Sequence, residues 1–207
     1  MSTERKKHYS LLINIAIIVF ELIGTGISFY NGGIVNLRFY TVLSNIFLFI
    51  TSLLTIRFAT NDNKLPSWFI IARYASVCCT TMTFLVVVFV LFPMLIPYGD
   101  PFIIFISGAQ PFHHVLCPIL AFISFIWFED ISLTRITSLL SAIPTLIYAV
   151  VFILLNYFRL CDGPYPFLRV HYQPIVMSFI WFFVLIGLSI AISFGIKAIK
   201  AKVNKNT

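Results

Sequence analysis

Six long apolar runs, separated by short polar or Gly- and Pro-containing segments, dominate the hydrophobic pattern of this chain. An α-helix needs about 20 mostly apolar residues to cross the hydrocarbon core of a bilayer. The pattern predicts such helices at about 9–30, 38–58, 68–96, 112–128, 134–157 and 174–196, and a basic cytoplasmic tail at 197–207. We therefore expect an all-α polytopic membrane protein, a six-transmembrane-helix bundle that forms a single integral membrane domain.

A further apolar stretch, Phe102 to Ala109, is too short to cross a bilayer as a helix. Three arrangements are compatible with it: an interfacial helix, a re-entrant lid, or an extension of the fourth helix. We interpret it as a lid.

Composition agrees with a membrane location and excludes other classes of protein. The 207 residues are 60% hydrophobic and only 10% charged, whereas about a quarter of the residues of a soluble domain are charged. This excludes a soluble globular enzyme and a disordered protein. The net charge is +7, but the basic residues lie at the ends of apolar runs and form no single patch, so we expect no nucleic-acid partner. The four cysteines have no CxxC spacing, so we expect neither a metal site nor a disulfide framework, and no cofactor.

The distribution of basic residues predicts the orientation, because cytoplasmic loops are enriched in Lys and Arg. With both termini inside, the cytoplasmic segments hold Arg5, Lys6, Lys7, Arg57, Lys64, Arg73, Arg135, Lys197, Lys200, Lys202 and Lys205. The outer segments hold only Arg38, Arg159 and Arg169. We therefore predict a multi-pass protein of the cell membrane with both the N- and C-termini cytoplasmic.

Polar side chains concentrate at the predicted outer end of the second helix. Arg38, Thr41 and Asn45 have the i, i+3, i+7 spacing that places residues on one helix face, and Ser44 is three residues from Thr41. The topology brings further candidates to the same end. They are His113, His114 and Cys117 in the fourth helix, and Tyr165, Arg169 and His171 in the last outer loop. Because polar groups at membrane depth are costly, each is a candidate functional residue, as is Glu21 in the middle of the first helix.

These residue types suit acyl chemistry. A Thr or Ser hydroxyl becomes a useful nucleophile when a base such as His takes its proton, and this end of the bundle supplies both hydroxyls and imidazoles. Asn45, Arg38 or a backbone N–H would stabilise the oxyanion. The orienting third group remains open between Glu21, His113 and Asn45.

Structural interpretations compete with each assignment. Thr41 also fits a helix cap, and His114 fits a hydrogen bond to a carbonyl. Cys117 fits either the core or an acyl-accepting role, and His113 is expected to face lipid headgroups. Glu21 fits a structural or a proton-linked role. The two arginines at this end, Arg38 and Arg169, also fit lipid phosphates.

Three segments resemble a known family of prokaryotic six-transmembrane proteins. They are Arg38 to Asn45, His114-x-x-x-Pro118 followed by Trp127-Phe128-Glu129, and Tyr165-Pro166-Phe167. That family is distantly similar to the androgen-induced-protein family, multi-pass hydrolases of fatty-acid esters of hydroxy fatty acids with a catalytic Thr and His. The resemblance implies Thr41 as nucleophile and His114 as base. The residues after His114, Val115 to Pro118, have the prokaryotic form and not the eukaryotic one, which leaves the substrate open.

Two functions therefore remain as hypotheses. The first is an intramembrane Thr/His hydrolase or acyltransferase that acts on lipid or fatty-acid esters near the outer leaflet. The alternative is a non-enzymatic lipid-headgroup or ion binding protein, or small transporter, in which Arg38, Arg169 and His171 matter more than Thr41. Membrane lipids are the expected partners in both, and the oligomeric state is open.

Overall fold

The computed structural model describes residues 2–59 and 65–206. Within these ranges it contains six helices long and apolar enough to cross a membrane, and it contains no strand. They are Thr3–Arg38, Tyr40–Ala59, Ser67–Tyr98, Pro111–Phe128, Arg135–Tyr157 and Ile175–Lys205, called here the first to sixth spans. This confirms the predicted all-α six-helix bundle. The polar segment 61–64 predicted to follow the second helix, with the basic residue Lys64, lies outside the described residues.

The first and last helices are longer than their apolar cores. The first span is an α-helix over Thr3–Gly32, which continues as a 3₁₀ turn over Gly33–Arg38. The sixth is one α-helix over Ile175–Asn206, so the basic segment predicted as a tail from residue 197 is helical as far as Asn206. That segment contains neither Gly nor Pro and is rich in Ala and Lys, which favour helix continuation beyond the hydrocarbon.

The fourth span is irregular at the position where its candidate residues lie. It has a π turn over Pro111–Leu116, an α-helix over Cys117–Ile123 and a second π turn over Ser124–Phe128. Pro118 has no N–H to donate four residues back, and the N–H of Cys117 bonds the Phe112 carbonyl five residues back. The π turn therefore changes the direction in which the side chains before Pro118 point.

Two other spans are also interrupted. The third is α-helical over Ser67–Val86, followed by a π turn at Val87–Leu91 and a short helix at Phe92–Leu95. The fifth consists of helices at Arg135–Leu140 and Ile143–Tyr157, and Pro144 lies in the first turn of the second helix, where its missing N–H is tolerated.

The core joins all spans except the fifth. Its fully buried members come from the first to fourth spans, and Ile192 and Ile196 of the sixth pack with them. Tyr74 of the third span stacks on Phe125 of the fourth with ring centroids 5.4 Å apart, and its hydroxyl bonds the Ser193 carbonyl of the sixth. A second cluster, around Phe152, Phe167 and Leu168, packs the loop after the fifth span onto the fifth and sixth spans.

The bundle has two chemically different ends. At the end that carries the chain termini, called the terminal end, Tyr9 contacts Phe128 with ring centroids 5.4 Å apart. Lys200 there donates to the carbonyls of Phe125 and Glu129 at 2.5 and 2.7 Å. The opposite end, called the cavity end, carries the starts of the second and fourth spans.

A buried ionic network closes the terminal end. The Arg73 guanidinium contacts both carboxylate oxygens of Glu129, with Nη2 2.6 Å from Oε1 and Nε 3.0 Å from Oε2. It also donates to Asn14 Oδ1 at 2.8 Å and Ser52 Oγ at 3.1 Å, and Ser124 donates to Glu129 at 2.8 Å. The network links the first, second, third and fourth spans through hydrogen-bonded charges.

Candidate functional site: a polar cavity with Thr41 and His114

A cavity of about 280 Å³ lies at the cavity end. Its polar lining residues are Ser28, Asn36, Thr41, Gln110, His113, His114 and Tyr165. The first, second and fourth spans and the loop after the fifth all contribute to it. Thr41 and His114, assigned together from the sequence, therefore line one cavity.

Among the described residues, the His114 ring has a hydrogen bond on one side only. Its Nδ1 lies 2.8 Å from the carbonyl oxygen of Ile104. A carbonyl can only accept, so Nδ1 carries the proton and donates it, and in the neutral ring Nε2 is left as the proton acceptor. Ile104 belongs to a short helix at Ile103–Ile106, which Ser107 ends before the fourth span begins. The Phe102 to Ala109 stretch is thus no extension of the fourth helix, and it touches the site.

Thr41 lies in the first turn of the second span, beside the phenol of Tyr165. The Tyr165 hydroxyl is close to the Thr41 side chain and to the backbone of Tyr40 and Thr41. Burial raises the pKa of Tyr165 above its ordinary value, so its hydroxyl keeps its proton at neutral pH and remains a donor. The ring is held by a parallel stack on Phe167, with centroids 5.2 Å apart.

Asn45 connects the two spans that carry the candidate catalytic pair. Its Nδ2 donates to the Thr41 carbonyl at 2.8 Å and to the His113 carbonyl at 3.0 Å. Both amide protons are used by these bonds, while its buried Oδ1 has no hydrogen-bond partner. Asn45 therefore positions the second span against the fourth, and its amide N–H groups are not free for an oxyanion.

His113 is buried, so the expectation that it faces lipid headgroups is wrong. Its Nε2 lies 3.5 Å from Glu21 Oε2 and 3.4 Å from Thr25 Oγ1 of the first span. Gly24 makes this approach possible, because a Cβ there would lie 2.8 Å from Phe112 Cβ and 2.9 Å from the His113 ring. The glycine lets the first span pack directly on the imidazole.

Glu21 is a buried carboxylate in the middle of a span. Within the described ranges, neither of its oxygens has a hydrogen-bond partner, and its side chain has no exposed surface. The thiol of Cys117, which is fully buried in the core, lies beside it. Three residues were candidates for the group that orients the base: Glu21, His113 and Asn45. Glu21 and Asn45 both contact His113. The His114 ring instead bonds the backbone carbonyl of Ile104.

Five predicted binding residues do not line the cavity: Asn45, described above, and Arg38, Ser44, Arg169 and His171. The Arg38 guanidinium lies 5.1 Å from the ring centroid of Phe39, and Ser44 bonds Thr83 at 3.1 Å between the second and third spans. In the last loop, Arg169 Nε donates to the Gly163 carbonyl at 3.1 Å. His171 bonds the Tyr157 carbonyl at 3.1 Å and stacks on that ring.

Sequence reasoning missed three polar residues of the cavity, namely Ser28, Asn36 and Gln110. Asn36 donates to the carbonyl and the hydroxyl of Ser28 at 2.7 and 3.1 Å, which folds the 3₁₀ turn after Gly33 back onto the first span. The positive φ of Gly33, +59°, allows that turn. The polarity of Asn36 and Gln110, just before the predicted starts of the second and fourth helices, was the available signal.

The fold and cavity define a class: a multi-pass helical membrane protein with a polar cavity at one end of the bundle. Among the described residues, no group of three or more His, Cys, Asp or Glu side chains is arranged to hold a metal ion. No protein-family model, no curated protein and no solved structure matches the chain.

Proposed function

We propose that this protein is an intramembrane ester hydrolase or acyltransferase that uses Thr41 as nucleophile and His114 as general base, and that it acts on lipid-borne esters near the outer leaflet. One observation carries the proposal. Thr41 and His114 line the same cavity, and the bond from His114 Nδ1 to Ile104 leaves Nε2 as the free acceptor. This is the tautomer that a base acting on a hydroxyl requires.

The proposed reaction has two balanced halves. Thr41 Oγ1 attacks the ester carbonyl while His114 Nε2 takes its proton. The bond from the carbonyl carbon to the alcohol oxygen then breaks, and His114 returns the proton to the leaving alcohol. Water, or a second alcohol in acyl transfer, attacks the acyl-Thr41 ester, gives its proton to His114, and releases the acid or the new ester as Thr41 regains its proton.

Tyr165 is the proposed oxyanion donor. Its protonated hydroxyl lies beside Thr41, where negative charge develops on the carbonyl oxygen. A preorganised donor in a site shielded from water is worth more than the same donor in water.

Single substitutions test the catalytic pair. Thr41→Ala and His114→Ala, purified in detergent or nanodiscs, are each expected to lower ester turnover at least about 100-fold, the scale typical of removing a positioned base. Thr41→Ala is also expected to lose labelling by a fluorophosphonate probe. Turnover that neither change affects would refute the proposal.

Two matched controls separate chemistry from folding. Thr81→Ala removes a hydroxyl of the third span that has no hydrogen-bond partner and does not line the cavity. His171→Ala removes an exposed imidazole of the last loop. Both variants are expected to keep wild-type turnover and labelling.

The structure gives the ligand-binding alternative less support. It depends on Arg38, Arg169 and His171, and none of these lines the cavity in the described part of the chain. Its test is thermal stabilisation by anionic-lipid headgroups that Arg38→Ala abolishes and Thr41→Ala preserves.

A further inference from the structure

A second, smaller cavity adjoins the first at Thr41. It has a volume of about 40 Å³ and lies between the second, third, fifth and sixth spans. Thr41, Leu91 and Tyr165 line both cavities, so they form the partition between them. The proposed nucleophile is therefore placed between two compartments.

The two compartments differ in chemistry. The smaller is lined mainly by apolar side chains, among them Met82, Val86, Ala149 and Leu185. The hydroxyls of Tyr40, Thr145 and Tyr148 on its wall are already paired. The Tyr40 hydroxyl bonds Thr145 at 2.7 Å, and the Tyr148 hydroxyl bonds the Arg38 carbonyl at 2.7 Å.

The larger compartment is the more polar of the two, although Val42, Leu91 and Ile104 also line it. Asn36, Gln110 and the imidazoles line it and can meet the hydroxyls of an alcohol. An ester whose carbonyl lies at Thr41 thus has its acyl chain in the apolar compartment and its alcohol in the polar one.

The small volume limits the length of that acyl chain. A buried water molecule needs about 10–15 Å³ of cavity volume. A cavity of about 40 Å³ therefore holds about three or four non-hydrogen atoms. A longer chain would have to displace Met82, Leu91 or Leu185.

We propose that the substrate is an ester of a short acyl group, of about two to four carbons, with a polar, hydroxyl-bearing alcohol that belongs to a lipid headgroup. This proposal rests on the proposed function, because it places the acyl carbonyl at Thr41. It adds what that function leaves open: the acyl chain length, and the compartment that selects it.

Glycerol monoesters of acetate, butyrate, octanoate and palmitate are the probes, with release of the free acid as the readout. The wild-type protein in nanodiscs is expected to show its highest kcat/KM with acetate or butyrate. We expect at least a tenfold lower value with octanoate and palmitate. A flat profile, or a maximum at palmitate, overturns the proposal.

Variants of the cavity wall test the cause of the selectivity. Met82→Ala removes three side-chain atoms from the wall and is expected to move the optimum to longer chains by about three carbons. Leu185→Ala, at a less buried position, gives the same test if Met82→Ala does not fold. Ala149→Leu fills the cavity and is expected to reduce butyrate turnover at least about fourfold, the effect of excluding one or two methylenes, with acetate turnover less affected.

Met94→Ala is the matched control, because Met94 is exposed and lines neither cavity; its profile is expected to equal that of the wild type.

Thr41→Ala separates the two proposals. If Thr41→Ala abolishes turnover but Met82→Ala and Leu185→Ala leave the profile unchanged, the short-chain inference is wrong and the proposed function stands. If no ester is hydrolysed, or Thr41→Ala keeps full turnover, both are wrong.

Discussion

Glu129→Gln is expected to be among the most destabilising substitutions that leave side-chain size unchanged. The carboxylate of Glu129 contacts Arg73 through two nitrogens and also accepts from Ser124. The side chains of Arg73 and Glu129 are 0% and 4% exposed. Removing one charge leaves the other buried without its counter-ion, which costs about 3–5 kcal/mol. Because the Gln amide keeps the shape of the Glu side chain, a loss of unfolding free energy of this size would come from the removed charge.

A double-mutant cycle tests that reasoning. Arg73→Met and Glu129→Gln are each expected to lower the unfolding free energy by about 3–5 kcal/mol, whereas the double variant Arg73→Met/Glu129→Gln is expected to lose much less than the sum. Reversible unfolding in mixed micelles, followed by tryptophan fluorescence, measures all three. Asp130→Asn is the control, because Asp130 is the exposed neighbouring acid, and it is expected to change stability by less than about 0.5 kcal/mol. Single-variant losses below about 1 kcal/mol would refute a dominant role for the pair.

The same pair predicts a dependence on pH. Burial alone would raise the pKa of Glu129, but Arg73, Ser124 and Lys200 hold it below its ordinary value. A lowered folded-state pKa adds stability that is present above the unfolded pKa of about 4.3 and is lost as pH falls through the folded pKa. The contribution of Glu129 to Tm is therefore expected to be constant from pH 7 to about 5.5 and to fall below about pH 4. In Glu129→Gln, the fall in Tm below about pH 4 is expected to be smaller than in the wild type. An equal fall in both proteins would contradict a lowered pKa of Glu129 in the folded state.

Two further substitutions probe the cavity end. Gly24→Ala is expected to destabilise by about 1–3 kcal/mol through overpacking on Phe112 and His113; Gly26→Ala, which meets nothing within 4 Å, is expected to be neutral or slightly stabilising in the same unfolding assay. Tyr165→Phe keeps the stack on Phe167 but removes the proposed oxyanion donor, so kcat is expected to fall about 100-fold with KM little changed; an unchanged kcat would exclude the phenol from that role.

The sequence was sufficient to predict the six spans because a bilayer imposes a simple rule of length and apolarity. It was less informative where the chain leaves the hydrocarbon. The helix over Ile175–Asn206 continues past its apolar core because the residues after 196 themselves favour helix, and hydropathy does not register that preference.

The depth of the candidate site was predictable, but the directions of its side chains were not. Alternating helices bring the starts of the second and fourth spans to one end, which places Thr41 and His114 at similar depth. An ideal helix turns about 100° per residue, so the π turn at Pro111–Leu116 invalidates face assignments made with an α-helical period. An unbroken α-helix would point the adjacent side chains of His113 and His114 about 100° apart. Both side chains are nevertheless buried.

The two ends of the bundle treat buried polar groups in opposite ways, and this favours the cavity end as the functional one. At the terminal end, Arg73 and Glu129 are bonded to each other and to neighbouring hydroxyl and amide groups. Of the five buried side-chain atoms without a hydrogen-bond partner in the described ranges, three belong to Glu21 and Asn45, which contact His113 from either side. Unpaired polar atoms cost stability, and more so in a bilayer. The carboxyl group of Glu21 and the amide oxygen of Asn45 carry this cost next to His113, which lines the cavity, whereas the charges at the terminal end are satisfied.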